Sequence, residues 1–140
     1  TAHLEPLEEG LSALSEPEYV HMLNAGPKKY SHIDFTPPKG AREAARRALD
    51  VRADKPASQR GMTAVGIARA RDLENGKALS PKTVRRMLSF FSRHEVDKKG
   101  ATWDEQGKGW QAWNGWGGNP GFSWAKKVVG QMNAADEKEA

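Results

Sequence analysis

Few residues in this sequence combine the types and spacing that metal binding or catalysis requires. His3, His21 and His32 are scattered, with no partner four residues away and no carboxylate placed to complete a metal site. Cysteine is absent, which excludes disulfides, thiolate catalysis and cysteine-ligated zinc or iron–sulfur sites. We therefore expect these histidines to lie at the surface, and we predict no bound metal and no cofactor.

Recognised catalytic motifs are also missing from the sequence. It contains no nucleophile elbow, phosphate-binding P-loop, HExxH sequence or paired-carboxylate motif. The glycines between Gly115 and Gly121 do not follow a strand, as a dinucleotide-binding fingerprint requires. We predict that the chain is not an enzyme and has no small-molecule substrate.

His94 differs from the other histidines because it lies at the end of a predicted helix. A cationic side chain at a helix C-terminus interacts favourably with the helix dipole. For His94 we predict capping or hydrogen bonding within the fold rather than chemistry.

All tryptophans of the chain lie close together, at Trp103, Trp110, Trp113, Trp116 and Trp124. Trp110, Trp113 and Trp124 can fill a small core that is short of aliphatic residues. The alternative is an exposed aromatic surface that anchors a protein partner or stacks on unpaired bases. Trp103 and Trp116, flanked by polar residues and glycine, are the candidates for such contacts.

A second set of candidate contacts lies on the helix predicted to begin after Ser80. Serine is a favoured N-cap, and Pro81 suits the first helical position. One face is apolar and comprises Val84, Met87, Leu88 and Phe91. The candidate partner-contacting cations are Lys82, Arg85, Arg86 and Arg93.

Two interpretations of these basic residues remain open. The segment around Ile67–Arg69 and the helix after Ser80 resemble a helix-turn-helix, in which the second helix enters the major groove of DNA. The connection through residues 74–78 is longer than the usual turn of about three or four residues. The other interpretation is an ordinary solvated helix face.

Several segments of the sequence together resemble a small domain that recurs in tailed bacteriophages, often among head-gene products such as capsid and prohead-protease polypeptides. The segments are Ser80–Met87, Phe91, Arg93–Gly100, Trp116–Gly118 and Gly121–Ala125. The similarity extends from about Ile33 to Gly130. It implies a phage context and a role at the virion head as an accessory or capsid-associated protein, and it carries no catalytic assignment.

The elements that position these residues are predicted to be helices. Alanines at positions 41, 44, 45 and 48, followed by Leu49, repeat at helical spacing between arginines. Further helices are predicted for residues 62–73, for 80–94 and from Asn119 onward, and no strand pattern is present. The expected fold is all-α, a single small domain of four to five short helices with a Trp- and Gly-rich segment and extended termini.

Three regions are predicted along the chain. Residues 1–32 form an N-terminal arm with a short docking helix, which Ser15 and Glu18 begin as a capping box. Residues 33–132 form the helical core, and 133–140 an acidic flexible tail. Within the core we expect the apolar face of Val84, Met87, Leu88 and Phe91 to pack on Ala44, Ala45, Ala48 and Leu49, with tryptophans closing the far side.

The balance of charge bears on the partner. The net charge is +4, with the basic residues concentrated between about Lys39 and Lys99. Such a distribution favours an anionic partner, although it is also compatible with ordinary surface charge that keeps a small domain in solution. Apolar runs fall far short of the ~20 residues that span a bilayer, so we predict a protein that is neither transmembrane nor secreted.

These features lead to two hypotheses of function. The first is a non-enzymatic bacteriophage structural or assembly protein of the accessory, cement or decoration type. It would lie in the virion head or the host cytoplasm and contact capsid or other virion proteins. The second is a helix-turn-helix-like DNA-binding protein that uses the basic helix face.

Overall fold

A computed structural model describes residues 28–139 and has an all-α fold, as the sequence predicts. No strand occurs within these residues. The α-helices are α1 (Lys39–Asp54), α2 (Ala64–Glu74), α3 (Pro81–His94), α4 (Lys108–Gly115) and α5 (Gly118–Glu139). Short 3₁₀ turns occupy Lys28–Tyr30, Ala57–Gln59, Glu95–Lys99 and Trp103–Glu105. The docking helix predicted after Ser15 lies outside the described residues.

The segment before α1 is extended, as its prolines predict. Ile33 and Phe35 are buried in this segment, and Pro38 stands at the N-cap of α1 in an extended conformation. The backbone amide of Leu79 donates to the carbonyl of Phe35 at 3.0 Å. This hydrogen bond ties the entry to α1 to the connection that precedes α3.

Ala41, Ala44, Ala45 and Ala48 of α1, which we call the alanine stripe, are completely buried. The prediction that this stripe packs on the apolar face of α3 was wrong. α1 packs against α2, α4 and α5 rather than forming a packed pair with α3. A Cβ atom on Gly118 would lie 2.9 Å from the Cβ of Ala44, and one on Gly117 would lie 3.4 Å from that of Ala41. Alanine and glycine face each other here, so the helix meets backbone rather than large side chains.

α3 begins as predicted. The Ser80 hydroxyl oxygen accepts a hydrogen bond from the backbone amide of Thr83 at 3.1 Å. The residues it buries are Thr83, Val84, Met87, Phe90 and Phe91. Leu88, predicted to lie in the core, is only half-buried at its edge. The apolar face is therefore rotated toward Phe90, and α3 packs mainly on α5.

Two helices depart from the predicted boundaries. α4 lies within the Trp- and Gly-rich segment, to which the sequence analysis assigned no helix. Its sequence has weak helical propensity. The helix is stabilised instead by the burial of Gln111 and Trp113 in the core. α5 runs on to Glu139, so the tail predicted from residue 133 is helical through that position.

Asp136 explains why the last helix extends beyond its predicted end. Its carboxylate accepts a hydrogen bond from the Tyr30 hydroxyl at 2.7 Å and pairs with Lys29 at 2.9 Å. The Arg85 guanidinium lies 3.2 Å from the other carboxylate oxygen. These contacts attach the end of α5 to α3 and to the 28–30 turn.

Candidate binding surfaces

The aromatic residues form a connected cluster at the centre of the fold. Trp113 is 1% exposed, and its ring packs edge-on against Phe91 with centroids 4.8 Å apart. The indole nitrogen donates to the Asn119 side chain at 3.0 Å, which satisfies its polar group inside the core. The Lys98 ammonium lies 4.3 Å from the centroid of the same indole. Burial predicted for Trp113 and Trp124 is confirmed, whereas Trp110 is half-buried.

Trp116 is not the exposed aromatic residue that the sequence suggested. It is 7% exposed and stacks on Phe90 at a centroid distance of 5.0 Å. The flanking glycines produce this burial, because Gly117 adopts a φ of +119° that turns the chain over the core. Gly66 on α2 leaves room for the indole, since a Cβ there would lie 3.4 Å from its nitrogen.

Trp103 remains accessible and borders a shallow cavity. The cavity has a volume of about 230 Å³. Trp103 and Trp110 are both half-buried. The lining residues are Asp97, Gly100, Thr102, Trp103, Gly109 and Trp110. Two indoles beside a carboxylate suit a cationic side chain, because an ammonium or guanidinium is attracted both to aromatic faces and to negative charge.

Successive turns between α3 and α4 build this cavity. The Gly100 amide donates to the Asp97 carbonyl at 2.9 Å, and the Gly107 amide to the Thr102 carbonyl at 2.9 Å. A Cβ on Gly109 would lie 3.2 Å from the Cβ of Asp97, so glycine allows α4 to approach the turn closely. Trp103 packs edge-on against Trp113 at 6.4 Å, which anchors the rim to the core.

His94 fulfils the structural role predicted for it. Its ring stacks on Phe90 at 4.5 Å, and its Nδ1 lies 3.1 Å from a carboxylate oxygen of Asp97. His94 thus connects the end of α3 to the turn that carries the Trp103 cavity. Sequence reasoning found the residue because of its position at a helix end, although it did not identify Asp97 as the partner.

A second cavity, of about 360 Å³, lies between the 57–59 turn and the start of α4. The residues that line it are Lys55, Ser58, Gln59, Thr102, Glu105, Gly107 and Lys108. The Lys55 ammonium donates to the Glu105 carbonyl at 2.8 Å and is thus already engaged in the fold. This cavity could not be predicted from the sequence, because its residues come from distant segments without a common motif.

The basic residues of α3 form a line along its outer face. Lys82, Arg86, Ser89 and Arg93 follow one another at steps of four, three and four residues, which places them on one side of a helix. Lys82 and Arg93 are exposed, whereas Arg86 is half-buried. We call these four residues the basic line.

Arg85 lies beside the basic line but is held by α5. Its guanidinium donates to the Asn133 side chain at 3.1 Å and to Asp136 at 3.2 Å. The sequence grouped Arg85 with the other cations, whereas the structure gives it a bridging contact between α3 and α5. The Asp136 carboxylate therefore partly balances the positive charge of Arg85.

The arrangement of α2 and α3 is not that of a helix-turn-helix. In that motif the two helices pack against each other across a short turn. Here α2 packs against α1 and α4, while α3 packs against α5, and within residues 28–139 α2 and α3 do not form a packed pair. The six-residue connection, anchored at Leu79, separates them.

Neither a metal-binding cluster nor a membrane-spanning helix occurs within the described residues. Residues 28–139 contain no group of three or more histidine or acidic side chains that could hold a metal ion. Every helix in this range is too short or too polar to cross a bilayer. We found no family model, curated protein or solved structure that matches the chain.

Proposed function

We propose that this chain is a non-enzymatic assembly protein of a bacteriophage head, which binds capsid or other virion proteins as an accessory, cement or decoration subunit. The observation that carries the proposal is the series of phage-like segments from Ser80 to Ala125. Those segments are adjacent in the fold. Ser80 caps α3, His94 and Asp97 join the following turn, and Trp116 stacks on Phe90.

The residues of the phage-like segments build the aromatic core and its turns. The resemblance therefore supports a shared fold and context rather than shared chemistry. A small rigid domain of this kind serves as a scaffold that presents surface residues to a partner.

We propose the Trp103 cavity as the surface that contacts the partner. Tryptophan is enriched among residues that contribute most to binding, and Trp103 combines an accessible face with a rim anchored on Trp113. The carboxylate of Asp97 gives the cavity a negative group next to two indoles. A lysine or arginine side chain of a virion protein fits this chemistry.

Mass spectrometry of purified virions, compared with infected-cell lysate, tests the proposed location. We expect the chain to co-purify with particles at a constant ratio to the major capsid protein through successive density gradients. Abundance in the lysate together with absence from the particles would contradict the virion role.

The helix-turn-helix form of the alternative function is not retained, because α2 and α3 do not pack as that motif requires.

A further inference from the structure

One carboxylate is shared between His94 and the Trp103 cavity. Asp97 lines the cavity, and its Oδ2 lies 3.1 Å from the Nδ1 of His94. An ionised carboxylate only accepts hydrogen bonds, so the Nδ1 of a neutral His94 carries the hydrogen and donates to Asp97. The negative group of the cavity is thus directly coupled to the histidine at the end of α3.

Packing on both sides holds the His94–Asp97 pair in place. The His94 ring stacks on Phe90 at 4.5 Å, and Phe90 is 8% exposed. The backbone carbonyl of Asp97 accepts a hydrogen bond from the Gly100 amide at 2.9 Å. On the α4 side, a Cβ on Gly109 would lie 3.2 Å from the Cβ of Asp97. These contacts restrict the positions that the Asp97 carboxylate can take at the edge of the cavity.

Charged groups surround this pair on several elements. The 95–99 turn packs against α3, α4 and the 103–105 turn. The charged residues that these elements carry at this end of α3, besides the pair itself, are Arg93, Glu95, Lys98, Lys99, Asp104, Glu105 and Lys108. Carboxyl, ammonium and guanidinium groups ordinarily keep their charge between about pH 5.5 and about pH 8, whereas histidine ordinarily changes its charge in this range.

Protonation of His94 opposes the binding of a cation in the cavity. The ionised Asp97 attracts an ammonium group that lies against the indoles. A protonated imidazole 3.1 Å away pairs with the same carboxylate and adds a positive charge close to the bound cation. Both effects lower the affinity of the cavity for a cation.

We propose that His94 is a positioning residue of the Trp103 cavity, which holds the Asp97 carboxylate when neutral and weakens cation binding when protonated. The proposal rests on the cavity being the partner surface, as proposed above, and adds its regulation. The cavity binds a lysine-type ammonium more tightly at neutral than at acidic pH. Because coupling between two binding events is reciprocal, a bound cation in turn disfavours protonation of His94.

Titration of the full, isotope-labelled chain with butylammonium, followed by NMR at constant ionic strength, tests the proposal. Butylammonium reproduces the end of a lysine side chain and keeps its charge over the pH range used. The indole N–H resonances of Trp103 and Trp110 give the dissociation constant at about pH 8 and at about pH 5.5. We expect the affinity to fall by about 5-fold on acidification, which is at the lower end of typical couplings between sites.

Two histidine variants separate His94 from the rest of the chain. His94→Gln keeps a side-chain donor for Asp97 but has no titrating ring, so the ratio of the affinities at the two pH values should approach unity. His32→Gln removes a histidine from an exposed position before α1 and should keep the ratio of the parent. Circular dichroism shows whether both variants are folded.

The ring resonances of His94 in the parent give a second measurement, which does not depend on any variant. The midpoint of their pH titration should move to lower pH when the chain is saturated with butylammonium. A 5-fold change in affinity corresponds to a shift of about 0.7 pH units. If His94→Gln fails to fold, this shift decides the proposal.

Three results would overturn the proposal. They are an affinity that does not fall on acidification, a ratio that persists in a folded His94→Gln, and a His94 midpoint that butylammonium does not move. Absence of butylammonium binding at about pH 8 would overturn the cation chemistry of the cavity and this proposal together. Mass spectrometry of virions does not depend on these measurements, so failure of the virion role is seen separately.

Discussion

At the residue scale, Gln111 connects two separate segments from inside the core. It is fully buried, and its side-chain oxygen accepts from the Gly61 amide at 2.7 Å. Its side-chain nitrogen donates to the carbonyls of Gln59 and Gln106, at 3.1 and 3.0 Å. One amide thus attaches the loop before α2 and the turn before α4 to α4.

Gln111→Ala should destabilise the fold, because it leaves the Gly61 amide and two carbonyls without their partner. We expect a loss of about 1–3 kcal/mol in the free energy of unfolding, measured by urea denaturation. Gln131→Ala, at an exposed position of α5, is the matched control and should change stability by less than about 0.5 kcal/mol. Equal stability of the two variants would show that Gln111 does not hold these segments.

The lowered pKa of the Asp136 carboxyl predicts how the stability of the fold depends on pH. Hydrogen bonds from Lys29 and Tyr30, together with the positive charges of Lys29 and Arg85, lower the pKa of this carboxyl below its usual 3.8, although desolvation opposes the shift. A lowered pKa in the folded state means that the stabilisation is present above the unfolded-state pKa and is lost as pH falls through the folded-state pKa.

The difference in melting temperature between the parent and Asp136→Asn should therefore be largest near neutral pH and shrink toward about pH 2. Glu137→Gln, a change at the adjacent exposed position, should show a smaller difference at neutral pH. A difference for Asp136→Asn that is constant from neutral to acidic pH would contradict the assignment.

At the scale of elements, the glycine turn and the alanine stripe determine how α1 meets α5. Gly118 has a φ of +65°, and a Cβ there would lie 2.9 Å from both the Ala44 Cβ and the Asn114 side-chain oxygen. Gly118→Ala should cost more than about 1 kcal/mol, because both the backbone and the available space oppose a side chain.

Gly130 provides a matched control, because substitution by alanine there should raise the stability rather than lower it. It is exposed in α5, and a Cβ there would meet no atom within 4 Å. Gly130→Ala should stabilise by about 0.5–1 kcal/mol, because alanine favours helix over glycine. Thermal melts of both variants test the pair, and stabilisation by Gly118→Ala would contradict the close approach.

The rotation of the apolar face of α3 gives another element-scale prediction. Met87 is 1% exposed, whereas Leu88 is half-buried. Met87→Ala should cost about 2–5 kcal/mol, and Leu88→Ala should cost clearly less, because it removes fewer buried contacts. Equal losses of stability in chemical denaturation would show that Leu88 contributes to the core as much as Met87 does.

Elements with strong local signals could be predicted from the sequence. The Ser80 cap and the alanine spacing of α1 lie within the sequence of each helix, so these two helices can be predicted without knowledge of any tertiary contact. α4 and the burial of Trp116 could not be predicted, because they depend on contacts between distant segments. Flanking glycines suggested exposure of Trp116, whereas the positive φ of Gly117 turns the chain so that the indole is covered.

At the scale of the whole molecule, one aromatic core supports two surfaces of different chemistry. The Trp103 cavity carries a carboxylate and indoles, and the basic line of α3 carries cations. Of the tryptophans proposed for partner contact, Trp103 keeps an accessible face, whereas Trp116 serves the core.

The most direct test of this account is co-sedimentation of the purified chain with phage heads that lack it. We expect the parent and Val96→Ala, a change at an exposed hydrophobic side chain outside the cavity lining, to sediment with the heads, and Trp103→Ala to remain in the supernatant. A melt of Trp103→Ala shows whether the variant is folded, and Trp103→Phe should recover part of the binding. No sedimentation of the parent, or equal sedimentation of a folded Trp103→Ala, would contradict the account.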